Sequence, residues 1–250
     1  MSEVVSEVKT KVCEKHGPYV SNYHISPLTK QKLWSGCPEC LREYEREYEV
    51  QEREQEIREN RKRMERLGIT PRFYEATFDT FHAQTAEQKR VLDICREYAE
   101  SFKPGRALLL CGSVGTGKTH LAMSAVKVIG ATRSALYITA IQMLRNIRES
   151  YRPNAFYTEQ QAIDKYAELD FLALDELGVQ LGTESERLLL FEVLDGRYQW
   201  RRPTMLVSNL NIADLTRYLG ERVIDRMREG GGQVINMTWP SYRKVLREVV

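Results

Sequence analysis

From about residue 71 the chain alternates two patterns. Short apolar runs, "RALLLC" at 106–111, "ALYIT" at 135–139, "DFLALD" at 170–175, "PTMLVSN" at 203–209 and "QVINMT" at 233–238, are separated by stretches of helical spacing such as "EQKRVLDICREYAESF" at 87–102. Runs of four to seven β-favouring residues alternating with helices predict an α/β fold, a mostly parallel sheet flanked by helices. In such a fold the binding site belongs at the carboxyl ends of the strands.

The amino-terminal part reads differently. Residues 39–68, "ECLREYEREYEVQEREQEIRENRKRMERLG", lack helix breakers until Gly68 and set opposite charges three or four positions apart, which predicts a long helix laced by ion pairs. Its apolar residues, Leu41, Tyr44, Tyr48, Val50, Ile57, Met64 and Leu67, form a thin stripe, leaving a solvated connecting helix and a partner-binding helix both open. "GITPRF" at 68–73 marks a boundary, so two domains are expected, 1–70 and 71–250.

Composition narrows the class. With 42% hydrophobic and 29% charged residues the chain reads as globular, and no apolar run approaches the roughly 20 residues of a membrane helix. The acidic start "MSEVVSEVKTKV" lacks the layout of a secretory signal, so a cytoplasmic protein without a membrane partner is expected. A net charge of +2 excludes whole-molecule attraction to nucleic acid and requires any such binding to come from a local patch.

Five cysteines without an export signal argue against disulfides. Cys95 and Cys111 fall in apolar patterns and read as packing residues. Cys13 and His16, then Cys37 and Cys40, make two pairs with two intervening residues each, the spacing of a closed tetrahedral zinc site. His24 offers an alternative donor to His16. So short a segment buries little apolar surface, which gives Zn2+ a structural purpose.

The sharpest signal is "GSVGTGKTH" at 112–120, between an apolar run and a helical one. Gly112, Ser113, Val114, Gly115, Thr116, Gly117, Lys118, Thr119 and His120 carry the GxxxxGK[ST] pattern. Its glycines let backbone amides close around phosphates, Lys118 neutralises the β and γ oxygens, and the Thr119 hydroxyl ligates Mg2+. "LDFLALDELG" then delivers Asp175 and Glu176 at a strand end, Asp175 for the magnesium shell and Glu176 to polarise an attacking water. Asn209 ends the next run, where an amide senses a γ-phosphate or merely forms a turn. Arg222 and Arg226 share one face of a helix and suit either charge stabilisation on a neighbouring subunit's nucleotide or local pairing with Glu221, Asp225 and Glu229.

Together "GSVGTGKTH", "LDFLALDELGVQ", "RRPTMLVSNLN" and "LGERVIDRMREGG" with "VINMTWPSYR" resemble the DnaC-type replicative helicase loaders, a branch of the AAA+ ATPases that includes the IstB transposition helpers. The resemblance covers roughly residues 70–246. It implies an AAA+ P-loop ATPase core with no carboxy-terminal lid domain, beside a small zinc-binding and helical domain that holds the hexameric replicative helicase. It also implies ATP hydrolysis, self-association through the ATPase domains and a grip on single-stranded DNA. By position, Lys118 and Thr119 would be Walker A, Asp175 and Glu176 Walker B, Asn209 sensor 1, Arg226 a finger acting in trans and Arg222 a sensor-like residue in cis. The family also draws attention to "IQMLRNIRESYRPNAFY", where Arg145, Arg148, Tyr151 and Arg152 combine cations with an aromatic face, and more weakly to Tyr198, Trp200 and Arg201. An IstB-like helper of a transposase, a small-molecule phosphotransferase and a non-hydrolysing adaptor are the competing functions.

Overall fold

The structure, a computed structural model, describes residues 8–25, 31–178 and 183–242, with the backbone alone at 23, 24 and 32. The chain divides into two compact units, 1–62 and 63–250.

In the first unit β1 (Val8–Cys13), β2 (Gly17–Ile25) and β3 (Lys32–Trp34) form an antiparallel sheet in chain order. A turn at 14–16 returns β1 onto β2, pairing Cys13 with Gly17. Helix α1 (Pro38–Arg66) follows and supports itself locally, with Arg42 paired to Glu39 and Gln55 donating to Glu59. Leu41, Tyr44, Tyr48, Val50 and Ile57 along it are exposed. Ser21 and Cys37 are the only buried side chains among the described residues of this unit, so apolar burial contributes little to its folding.

The second unit contains the expected parallel sheet: β4 (Ala107–Gly112), β5 (Ala135–Thr139), β6 (Phe171–Leu177), β7 (Thr204–Ser208) and β8 (Gln233–Met237), in spatial order β5-β6-β7-β4-β8. The central strands β4 and β7 and the body of β6 are buried and mostly apolar because both faces are covered, whereas edge strand β8 leaves Gln233 and Asn236 exposed. Leu108, Leu110, Phe171, Ala173, Met205 and Val207 pack toward α2 (Ala86–Ser101) and α3 (Lys118–Ile129). Leu109, Leu172, Leu174 and Leu206 pack on the other face, against α4 (Ala140–Arg148), α5 (Glu159–Ala167), α6 (Glu184–Gln199), α7 (Ile212–Leu219) and α8 (Glu221–Arg228).

The last turns of α1 belong to this unit, with Met64, Leu67 and Ile69 in its core, so the division falls before the 68–73 turn. Gly68 explains the turn. It has φ +73, and a Cβ there would stand 2.0 Å from the Tyr137 carbonyl oxygen, so only glycine lets the chain approach β5 this closely. The approach covers the edge strand, since the Tyr137 N–H donates to the Leu67 carbonyl at 2.9 Å.

A buried arginine ties the far end of the sheet. Arg197, 0% exposed, donates to the Thr204 hydroxyl (2.8 Å) and to the carbonyls of Tyr166 (2.7 Å), Leu169 (2.9 Å) and Pro203 (2.6 Å), joining α5, α6 and β7. Burial pulls its pKa down to about 9. Replacing Arg197 with Met leaves several buried acceptors unpaired and is expected to cost about 3 kcal/mol or more, read as a lowered urea midpoint.

Candidate functional site

The strand order places the ends of β6, β7 and β4 side by side, which gathers the sequence-predicted phosphate and acid residues. β4 runs into the glycine loop, and Gly117 (φ +94) caps the start of α3. A Cβ at Gly117 would meet the Phe81 ring at 2.5 Å, so the loop depends on glycine for packing as well as for its backbone. Lys118 is buried and donates to the carbonyls of Gly112 (3.0 Å) and Ser113 (2.6 Å) and to the Thr116 hydroxyl (3.3 Å). Burial lowers the pKa of its ammonium, an effect that Asp175 opposes.

The acid pair lies where the sequence predicts. Asp175 is buried, and its Oδ2 accepts from the Thr119 hydroxyl at 2.8 Å, joining the two residues expected in the magnesium shell. Two oxygen donors so close suit a hard divalent ion. Its Oδ1 accepts from the Glu176 N–H at 2.6 Å. Glu176 is exposed and takes φ +59, a left-handed conformation at the β6 irregularity between Leu174 and Leu177. Asn209 is the first residue past β7 and is exposed, and the neighbouring Leu210 carbonyl accepts from the Gly112 N–H at 3.2 Å.

Groups from outside the loop brace it. The Trp239 indole donates to the Thr116 carbonyl (3.1 Å), and the Tyr242 N–H donates to the Gly115 carbonyl (3.0 Å), so the segment after β8 braces the loop. His120, placed in the cradle by sequence, turns instead to the segment before α2. Its Nε2–H donates to the Thr77 carbonyl at 2.7 Å and its ring meets Phe81 edge-on. Val114 and Ser113 are exposed on the loop rim.

The two candidate arginines lie on α8 against α6. Arg222 is exposed, its guanidinium 5.6 Å from the Phe191 ring centroid. Arg226 pairs with Asp195 and stacks on Tyr198 at 4.7 Å. Thus Arg226 has a partner in its own chain, though not the neighbouring acids of α8. Asp195 and Tyr198 lie in the last turns of α6, which leads toward the start of β7. No hydrogen bond or ion pair among the described residues joins either arginine to the phosphate loop.

The candidate DNA residues follow one another along α4 and the turn after it. Arg145 and Tyr151 are exposed. Three of the four contact acids: Arg148 pairs with Glu186 (3.3 Å), Tyr151 donates to Glu159, and Arg152 pairs with Glu149 (2.7 Å). Phe156 and Tyr157 extend this exposed aromatic surface. The weaker patch lies toward the opposite end of the sheet, where Trp200 is exposed and the Arg201 carbonyl accepts from the Gly105 N–H at 2.7 Å.

In the first unit the ligand atoms of Cys13, His16, Cys37 and Cys40 all lie within 4.8 Å of one another. The His16 Nδ1 faces the sulfurs, 3.3 Å from Cys40 and 3.8 Å from Cys13. Its Nε2 contacts Glu43 at 3.2 Å, and Lys15 grips the other Glu43 oxygen at 2.5 Å. A carboxylate behind a ligating imidazole fixes its tautomer, and a donor set of three thiolate sulfurs and one imidazole nitrogen fits tetrahedral zinc. Backbone N–H groups of His16 and Lys15 lower the Cys13 pKa, while the hydrogen bond with Cys13 raises that of Cys40. The side chain of His24 lies outside the described residues.

The family model described as "IstB-like ATP binding protein" matches residues 41–247. The chain belongs to that family. Among curated members it is 33% identical over 181 residues to the replicative helicase loader DnaC of Buchnera aphidicola subsp. Baizongia pistaciae, covering 72% of this chain and 74% of that protein. It is 31% identical over 194 residues to DnaC of Escherichia coli strain K12, covering 77% and 79%. A crystal structure of the DnaC helicase loader superposes with a TM-score of 0.60 at 24% identity, over 67% of this chain and 99% of that one. AMPPCP-bound DnaA from Aquifex aeolicus superposes at 0.58 with 21% identity, over 72% and 55%. The core of this IstB-like family member therefore has the AAA+ fold.

Proposed function

We propose that the chain is an ATP-dependent loader that delivers a hexameric replicative DNA helicase onto single-stranded DNA. The observation that carries this reading is the Thr119–Asp175–Glu176 arrangement beside a phosphate loop, in a chain whose curated relatives include DnaC loaders. Those relatives favour helicase loading over assistance to a transposase.

Each residue then has a task. The loop amides and Lys118 bind the triphosphate, and Thr119 and Asp175 hold Mg2+. When bound, that ion offsets charge on the β and γ oxygens. Glu176 accepts a proton from the attacking water and Asn209 orients it. Arg226 reaches the nucleotide of an adjacent copy once Asp195 releases it, and Arg222 acts in cis. Arg145, Arg148, Tyr151 and Arg152 grip single-stranded DNA by cation and stacking contacts, and the zinc-ordered first unit with α1 holds the helicase. ATP binding sets the gripping state and hydrolysis ends it. No helix among the described residues is long and apolar enough to cross a membrane.

The test is reconstitution with a bacterial replicative helicase and single-stranded DNA. Helicase transfer to DNA is expected to require ATP, and Arg226→Ala should retain ATP binding while losing DNA-stimulated turnover by about tenfold or more. Transfer that is indifferent to nucleotide would refute the proposal.

A further inference from the structure

Tyr137 carries none of the roles assigned above, yet its hydroxyl lies inside the acid cluster. The residue sits on β5, the edge strand beside β6, and is buried in the core shared with α3. The hydroxyl donates to Asp175 Oδ2 at 2.8 Å, the same oxygen that accepts from Thr119 at 2.8 Å. With the Glu176 N–H on Oδ1, three donors fix the plane of one buried carboxylate. A phenol hydroxyl is protonated at neutral pH and so can donate to the carboxylate without any special tuning.

Of the three donors, Thr119 is the one whose oxygen must also serve a divalent cation. A hydroxyl that gave a lone pair to a cation would keep its proton for Asp175, so Thr119 would donate to Oδ2 from the cation side while Tyr137 donates to the same oxygen from β5. Without the Tyr137 hydroxyl the carboxylate would keep only the Thr119 and Glu176 donors, and the attraction of the Lys118 ammonium would draw Oδ2 from the geometry it shares with Thr119. Outer partners of a metal ligand act in this way, by holding its orientation.

We infer that Tyr137 is a positioning residue for the magnesium shell, its hydroxyl holding Asp175 where the carboxylate and Thr119 serve one divalent cation together. The inference rests on the Mg-ATP reading of the site and adds a residue to it.

The test measures binding of the non-hydrolysable analogue AMPPNP to the full chain by calorimetry, in magnesium and in EDTA. In the parent protein magnesium strengthens binding. Tyr137→Phe keeps the ring and is expected to leave the EDTA affinity unchanged while shrinking the magnesium enhancement roughly tenfold. Equal enhancement in both proteins would overturn the inference. So would a Phe variant that loses affinity equally in EDTA and magnesium, because the hydroxyl would then serve only the fold. In an Asp175→Ala background, Tyr137→Phe should cause no further loss of enhancement, and an independent loss there also overturns it. A parent chain that binds no AMPPNP refutes the nucleotide reading itself, and this inference with it.

Discussion

Lys118→Ala is expected to weaken ATP binding at least a hundredfold while leaving the core folded. In the structure the ammonium donates to three acceptors of the loop, at 2.6, 3.0 and 3.3 Å. Bound triphosphate would exchange these neutral acceptors for anionic oxygens, and hydrogen bonds to charged groups contribute about 1.5–3 kcal/mol each. Two such bonds, less what the loop carbonyls already provide, leave about 3 kcal/mol, or two factors of ten in affinity. Calorimetric titration with ATP checks the magnitude, and circular dichroism checks that the variant is folded. An alanine variant binding as tightly as the parent would remove the phosphate-loop assignment.

Removing metal is expected to unfold the first unit and spare the second. Among the described residues of 1–62 only Ser21 and Cys37 are buried, so the sheet has almost no apolar core to fall back on. Structural zinc sites in small domains supply an apparent 10–16 kcal/mol at neutral pH, far more than two buried residues can. Metal analysis should find about one zinc per chain. A chelator, or Cys40→Ser, should abolish the circular dichroism of the three-stranded sheet and helicase capture while ATP affinity is retained. The thiols must be deprotonated and His16 neutral to bind the ion, so zinc retention should fall as pH is lowered. A metal-free first unit that kept its sheet would defeat this account.

Much of the fold was legible because its signals are local. All five apolar runs became strands of the parallel sheet, and residues 39–68 became α1 with its ends displaced by one or two positions. The sheet of the first unit was missed. "VKTKV" in β1 does alternate with period two, but Val8 and Val12 are exposed, so no covered apolar face stands behind the pattern. The ligand pairs at Cys13–His16 and Cys37–Cys40 were readable because a metal's demands are met by short spacings at a hairpin turn and a helix start.

The sequence by itself located the candidate phosphate loop and the strand-end acid pair, because each is written within a dozen residues of chain. Only the tertiary structure decided what surrounds them. Tyr137 and Asp175, Arg226 and Asp195, and Arg148 and Glu186 are each brought together by chain crossings that no periodicity records. The physical reason is that a parallel sheet joins its strands through helices, so neighbours across strand ends are distant in sequence, and their pairing depends on strand order.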